Sequence, residues 1–144
     1  MTVLLLDTHA WLWLAAGDRR LARRERELNR AARAQELLLS AISIYETALI
    51  GIETDAGKRR GRQAVRMRPT VQAWVRDAVA GTCVVVIPVD GDLALDGAML
   101  HAMHPDPFDR IIVASAMKIG ARLVSADERI ATFARGVGVE LFDV

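Results

Sequence analysis

Cysteine occurs once in the 144 residues, so no intramolecular disulfide can form. Cys83 lies inside the apolar run Cys83-Val84-Val85-Val86-Ile87 and reads as a buried structural thiol rather than a nucleophile. Histidine is nearly as scarce: His9, His101 and His104 make no zinc spacing with Cys83, which excludes a structural zinc site. No run approaches the roughly 18 uninterrupted apolar residues needed to span a membrane. The apolar opening MTVLLLDTHAWLWLAAG has no Lys or Arg ahead of it and is interrupted by Asp7 and His9, unlike an export signal. A cytoplasmic protein is expected, with no membrane contact. Repeats, linkers and low-complexity tracts are missing too, so residues 1–144 are expected to form one domain. A chain of that length buries about 68–70% of its unfolded surface and folds without staples. No Ser/His/Asp arrangement suggests a covalent nucleophile.

What is present is a core and an uneven charge pattern. Hydrophobic residues make up 52% of the chain, and the net charge is +1. Seven arginines (19, 20, 23, 24, 26, 30, 33) fall in segment 19–33, and Lys58, Arg59, Arg60, Arg62, Arg66 and Arg68 fall in segment 58–68 with no acid among them. A near-neutral protein with such segments can still steer an anionic polymer. In segment 19–33, Glu25 and Glu27 intervene, which favours a solvated helix face. Segment 58–68 is as compatible with an RNA-contacting surface, through Lys58, Arg59, Arg60 and Arg62, as with a solvated loop.

Strand and helix patterns alternate along the chain. Val3–Leu6 reads as a buried strand and Thr8–Ala16 as a helix ended by Gly17. Residues 19–35 read as one charged helix with Leu21 and Leu28 as its sparse apolar stripe, and Leu37–Leu39 as a strand. Ser40 can cap a helix from Ala41 to about Thr54. Residues 55–68 form a polar, basic connection expected to be mobile. Thr70–Ala80 fits an amphipathic helix, with Val71, Trp74, Val75, Ala78 and Val79 on one side and Gly81 as its end. Cys83–Val89 is β-branched and strand-like, and Asp92–Leu100 is helical. Asp106-Pro107 opens a further helix as cap and first residue, which runs to Ile119 and stops at Gly120. Arg122–Ser125, Glu128–Ala134 and Val139–Phe142 follow as strand, helix and strand. This order predicts an α/β three-layer sandwich with a mostly parallel five-stranded sheet.

In open parallel sheets, sites form beyond the carboxyl ends of the strands. Asp7 directly follows the first strand, Asp127 follows the fourth, Asp106 and Asp109 open the helix before that strand, and Glu46 lies on the helix after the second. Capping alone would explain most of these acids, because carboxylates at helix N-termini satisfy orphan N–H groups. Asp106 and Asp109 could even form a capping-box-like pair. Glu46 is different. It sits well past any capping position, and its helical neighbours Ile42, Ser43, Leu49 and Ile50 are a mainly apolar stripe. A Glu on such a stripe needs a partner. No Lys or Arg lies within four residues. A distant cation such as Arg110 is one solution, and a metal ion shared with other acids is another. Oxygen-only ligands suit Mg²⁺ or Mn²⁺.

The segments LLLDTHAWLW (4–13), SAISIYETAL (40–49), HPDPFDRIIVASA (104–116) and LVSAD (123–127) resemble, in order and over nearly the whole chain, the four acidic motifs of PIN-domain ribonucleases. DTHAWLW with DPFDR is particularly similar to toxins of the VapC type. The resemblance places the family's acids on Asp7, Glu46, Asp109 and Asp127, with Asp106 in support and Ser125 where the family often has Thr. It implies a PIN-like five-stranded parallel sheet and an Mg²⁺- or Mn²⁺-dependent endoribonuclease acting on structured RNA of the tRNA or rRNA class. It also implies a homodimer silenced by a cognate antitoxin. The four acids would serve as metal ligands and catalytic groups for hydrolysis by an activated water. Thr8 and Ser125 are candidates to orient metal-bound waters or to act as cap hydroxyls. Arg110 is a candidate to contact phosphate or to pair with an acid. Trp11, Trp13 and Trp74 could stack bases, but at least one is expected at a protein interface, such as an antitoxin helix. Two rivals remain: a non-catalytic RNA-binding module on the same fold, and an Mg²⁺-dependent phosphoryl-transfer domain. A dehalogenase-type phosphatase would want an Asp where His9 stands, and a receiver domain a Lys where Asp127 stands.

Overall fold

The two fully buried strands are continuous apolar runs because both faces of the sheet are covered there. In a computed structural model describing residues 2–102 and 104–144, β1 (Leu4–Leu6) is followed by α1 (Thr8–Ala16), a 3₁₀ segment (Arg19–Arg24) and α2 (Glu25–Arg33). Next come β2 (Leu37–Ser40), α3 (Ala41–Asp55), a 3₁₀ turn (Gly61–Gln63), α4 (Val71–Thr82) and β3 (Val85–Ile87). The chain ends with α5 (Gly91–Met99), α6 (Pro107–Ile119), β4 (Arg122–Val124), α7 (Glu128–Gly136) and β5 (Leu141–Phe142). The five strands are all parallel, in the order β3-β2-β1-β4-β5.

Side chains alternate across the pleat. Leu4, Leu6, Leu37 and Leu39 pack on one face with Trp11 of α1, Leu28 of α2 and Val75 of α4. Leu5, Leu38 and Leu123 pack on the other with Ile112 and Val113 of α6 and Ile130 and Phe133 of α7. The expected three-layer sandwich is therefore present. Trp11 is fully buried, and its indole N–H donates to Thr82 Oγ1 at 3.0 Å. It belongs to the core, not to an interface. Trp13 is half-buried, with the Arg20 guanidinium 4.5 Å from its ring centroid.

Four local expectations are corrected. Segment 19–35 is not one helix: Asp18 caps a 3₁₀ stretch that buries Leu21, and α2 begins only at Glu25. Helix α4 passes through Gly81 to Thr82, and Cys83 ends it in the left-handed region at φ 54°. Cys83 is consequently exposed rather than buried, and β3 starts two residues later. The connection after α3 is anchored rather than loose. Met67 is fully buried in the core, Thr54 Oγ1 accepts the Val65 N–H at 3.0 Å, and Arg59 and Arg68 pair with Glu53 and Asp55. No helix among the described residues is long and apolar enough to cross a membrane.

Candidate metal centre

The chain order reverses at β1, which has β2 on one side and β4 on the other. Such a switch point opens a crevice at the carboxyl edge of the sheet. Asp7 stands there as the residue after β1, tied in by its N–H to Val124 O at 3.0 Å. It caps α1 by accepting the Ala10 N–H at 2.7 Å, and it is 2% exposed. Burial drives its carboxyl above the ordinary range, against opposing hydrogen bonds from Ser125 and Ala10. Ser125 Oγ accepts the Asp127 N–H at 3.1 Å, which leaves the hydroxyl proton for Asp7.

Glu46 does face inward. Burial raises its pKa, with Asp106 and Asp7 adding repulsion. Its Oε1 is buried without a hydrogen-bond partner among the described residues. The nearby Thr8 hydroxyl offsets part of this, but its hydrogen bond is spent on Ser43 Oγ at 3.1 Å. Among the described residues no cation pairs with Glu46, so the Arg110 alternative is not realised; Arg110 Nε is itself buried and unpartnered.

Asp109 is pushed from 3.8 up to about 8, first by burial and then by repulsion from Asp106, Glu46, Asp7 and Asp127. The other four acids thus lie near enough to Asp109 to repel its charge. Asp106 caps α6 through the Phe108 N–H at 2.9 Å. Exposed Asp127 caps α7 through the N–H groups of Arg129 and Ile130 and lies at the rim. The anticipated capping-box pair does not form, because the Asp106 N–H goes to His104 Nδ1 instead of to Asp109. Three of the five acids at the site thus do cap helices, while Glu46 and Asp109 do not.

An orphaned buried carboxylate oxygen surrounded by like charges is what a hard divalent cation would satisfy, so the donor set fits Mg²⁺ or Mn²⁺. Among the described residues, no three His, Cys, Asp or Glu side chains are drawn close enough to grip an ion as they stand. The side chains would have to tighten on loading. Glu46 and Asp106 also border a concavity of about 460 Å³ lined by Leu49, Glu53, Arg59 and Phe108. A larger groove, about 960 Å³, lies away from the acids, between the end of α1, segment 19–35 and the α4–β3 junction. Two inward-facing participants were not anticipated from sequence: Ser43, which holds Thr8, and His104. Ser43 sits one turn before Glu46 on the same stripe, a spacing that could have singled it out.

An acidic crevice at the switch point of a parallel 3-2-1-4-5 sheet defines a class of α/β proteins that carry their chemistry on strand-end carboxylates. The chain belongs to the PIN domain family, which it matches over residues 4–136. Ribonuclease VapC22 of Mycobacterium tuberculosis (strain ATCC 25618 / H37Rv) is 28% identical over 131 residues, 90% of this chain and 91% of that protein. Among solved structures, the DNA-bound VapBC from Salmonella typhimurium superposes with a TM-score of 0.66 at 18% identity, covering 99% of this chain and 98% of that one. VapBC2 from Rickettsia felis, bound to a promoter DNA fragment, gives 0.65 at 14% identity, with 97% of each chain covered. FitAB bound to a DNA fragment gives 0.60 at 18%, covering 97% and 94%. At these identities the structures speak for the fold.

Proposed function

We propose that residues 1–144 form one nuclease domain, a metal-dependent endoribonuclease that is the toxin half of a VapBC-like toxin–antitoxin pair and works in the cytoplasm. The observation that carries this reading is Glu46, a carboxylate with a buried, orphaned oxygen that feels repulsion from Asp106 and Asp7 and pairs with no cation among the described residues. Asp7, Glu46, Asp109 and Asp127 would hold Mg²⁺ or Mn²⁺, with Asp106 in support. The bound ion supplies Lewis-acid activation of water and charge stabilisation at phosphate. Ser125 fixes Asp7, and Thr8, held by Ser43, stands beside Glu46. The attacking water adds to phosphorus in line with the leaving 3′-oxygen, the P–O3′ bond breaks and the water's proton ends on that oxygen, without a covalent protein intermediate. Arg110, which pairs with no acid among the described residues, is suited to contact a phosphate oxygen through its outer guanidinium N–H groups.

RNA of the tRNA or rRNA class would approach over segment 58–62. Arg59 is held by Glu53 at 2.6 Å, whereas Lys58, Arg60 and Arg62 are exposed. The groove beside Trp13 suits an amphipathic antitoxin helix. The exposed Leu95, Met99, Met117 and Ile119 of α5 and α6 supply an apolar face for a homodimer. The test is RNA cleavage with Mg²⁺ by wild type and Asp7→Asn. The variant should lose more than the roughly 10–100-fold that removal of an outer partner costs. Equal, absent cleavage by both proteins would favour the non-catalytic RNA-binding reading.

A further inference from the structure

His104 takes no part in the metal set and is not a surface residue: it is 5% exposed. It precedes the α6 cap by two residues and accepts the Asp106 N–H on Nδ1 at 3.1 Å. A ring nitrogen that accepts carries no proton, so the imidazole proton sits on Nε2. That Nε2 stands 3.7 Å from Asp109 Oδ2. The far face of the ring packs on Phe133 of α7, centroids 5.3 Å apart and planes tilted by 34°. Phe133 is itself buried, and α7 is the helix capped by Asp127. The ring is thus held at Nδ1 and against Phe133, and Nε2 stands just beyond hydrogen-bond distance of a carboxylate that makes no hydrogen bond among the described residues.

We infer that His104 is a positioning residue for Asp109: its Nε2–H, 3.7 Å from Oδ2, closes to a hydrogen bond as the site tightens and so presents the other carboxylate oxygen to the cation. The inference rests on the metal-nuclease reading above. Asp109 needs such a guide more than its neighbours do. Asp7, Asp106 and Asp127 are each oriented by the backbone N–H groups they cap, whereas Asp109 caps nothing. Partners that orient a ligand in this way typically change metal affinity by about 10–100-fold when removed.

The two ring nitrogens can be separated by substitution. His104→Asn keeps an acceptor near the Nδ1 position for the Asp106 N–H but cannot reach Asp109. His104→Gln places an amide N–H near the Nε2 position and retains that reach. The readouts are Mn²⁺ affinity by titration calorimetry and the melting temperature of the metal-free protein, for wild type and both variants. His104→Asn should bind Mn²⁺ about 10–100-fold more weakly, while His104→Gln stays near wild type and both metal-free variants melt close to wild type. Wild-type Mn²⁺ affinity in His104→Asn, or equal weakening in both variants in step with lost thermal stability, overturns the positioning role. Failure of wild type itself to bind Mn²⁺ overturns the metal reading, and the inference falls with it.

Discussion

The acidic crevice should make the metal-free protein lose stability as pH rises, and Asp109→Asn should relieve part of that loss. The Asp109 carboxyl is raised from 3.8 to about 8, so between these values the folded state holds a proton that the unfolded chain has released. Stability from this group is complete below the unfolded value and drains away as pH climbs toward the folded one. From 3.8 to about pH 7.5, at about 1.4 kcal/mol per pH unit, the upper bound is about 5 kcal/mol. The side chain is 15% exposed, and relaxation of an open site cuts this to about half, roughly 2 kcal/mol. An amide has no proton to lose. Urea unfolding in the presence of a chelator, at about pH 5 and about pH 7.5, should therefore show a steep fall for wild type and a shallower one for Asp109→Asn. The variant should be more stable by about 2 kcal/mol at the higher pH. Some slope should remain, since Asp7 and Glu46 are raised as well. Parallel pH profiles, or a variant less stable at both pH values, would refute the claim that burial and the neighbouring acids raise the Asp109 carboxyl.

Divalent metal should act in the opposite sense: Mn²⁺ at about 100 times its Kd should raise the unfolding free energy by about 2.7 kcal/mol, read as a melting shift that Glu46→Gln largely abolishes. Replacing Lys58, Arg60 and Arg62 together by Ala should flatten the salt dependence of RNA binding by about 2 in the log–log slope, near 0.7 per lost phosphate contact. An unchanged slope, measured in an Asp7→Asn background, would remove that segment from the RNA surface. Gly97→Ala should cost about 1–3 kcal/mol in chemical denaturation, because its new Cβ would meet Ile111 Cγ1 at 2.9 Å and Cα at 3.3 Å. A variant as stable as wild type would mean that α5 and α6 do not pack so closely.

The parts of the fold set by local chemistry could be read from the chain. Asp106-Pro107 and Ser40 start helices because their side chains satisfy N–H groups two residues on. Gly17 and Gly120 end helices at positive φ, where a missing Cβ matters. Glu46 was legible by periodicity, since an acid on an apolar stripe demands a partner wherever that partner comes from. Features decided by distant contacts were not legible. Met67 is buried by core residues from several elements, so a segment that reads as polar and loose is held down. Cys83 falls in a β-branched run, yet α4 extends over Gly81 and leaves it as an exposed left-handed cap, a position that propensity does not reveal. His104 follows the same logic: its hydrogen bond to Asp106 is local, but its burial depends on Phe133, far along the chain.

The three capping aspartates of the crevice lead double lives, and this shapes how the protein can be taken apart. Each of Asp7, Asp106 and Asp127 spends an oxygen on the backbone at the start of a helix, so truncation to Ala would remove a charge and unfasten a helix in one stroke, at about 1 kcal/mol for the cap alone. Asparagine is as good a cap as aspartate. An inert form made with Asn rather than Ala keeps its scaffold, and with it the surface on which any silencing partner must close.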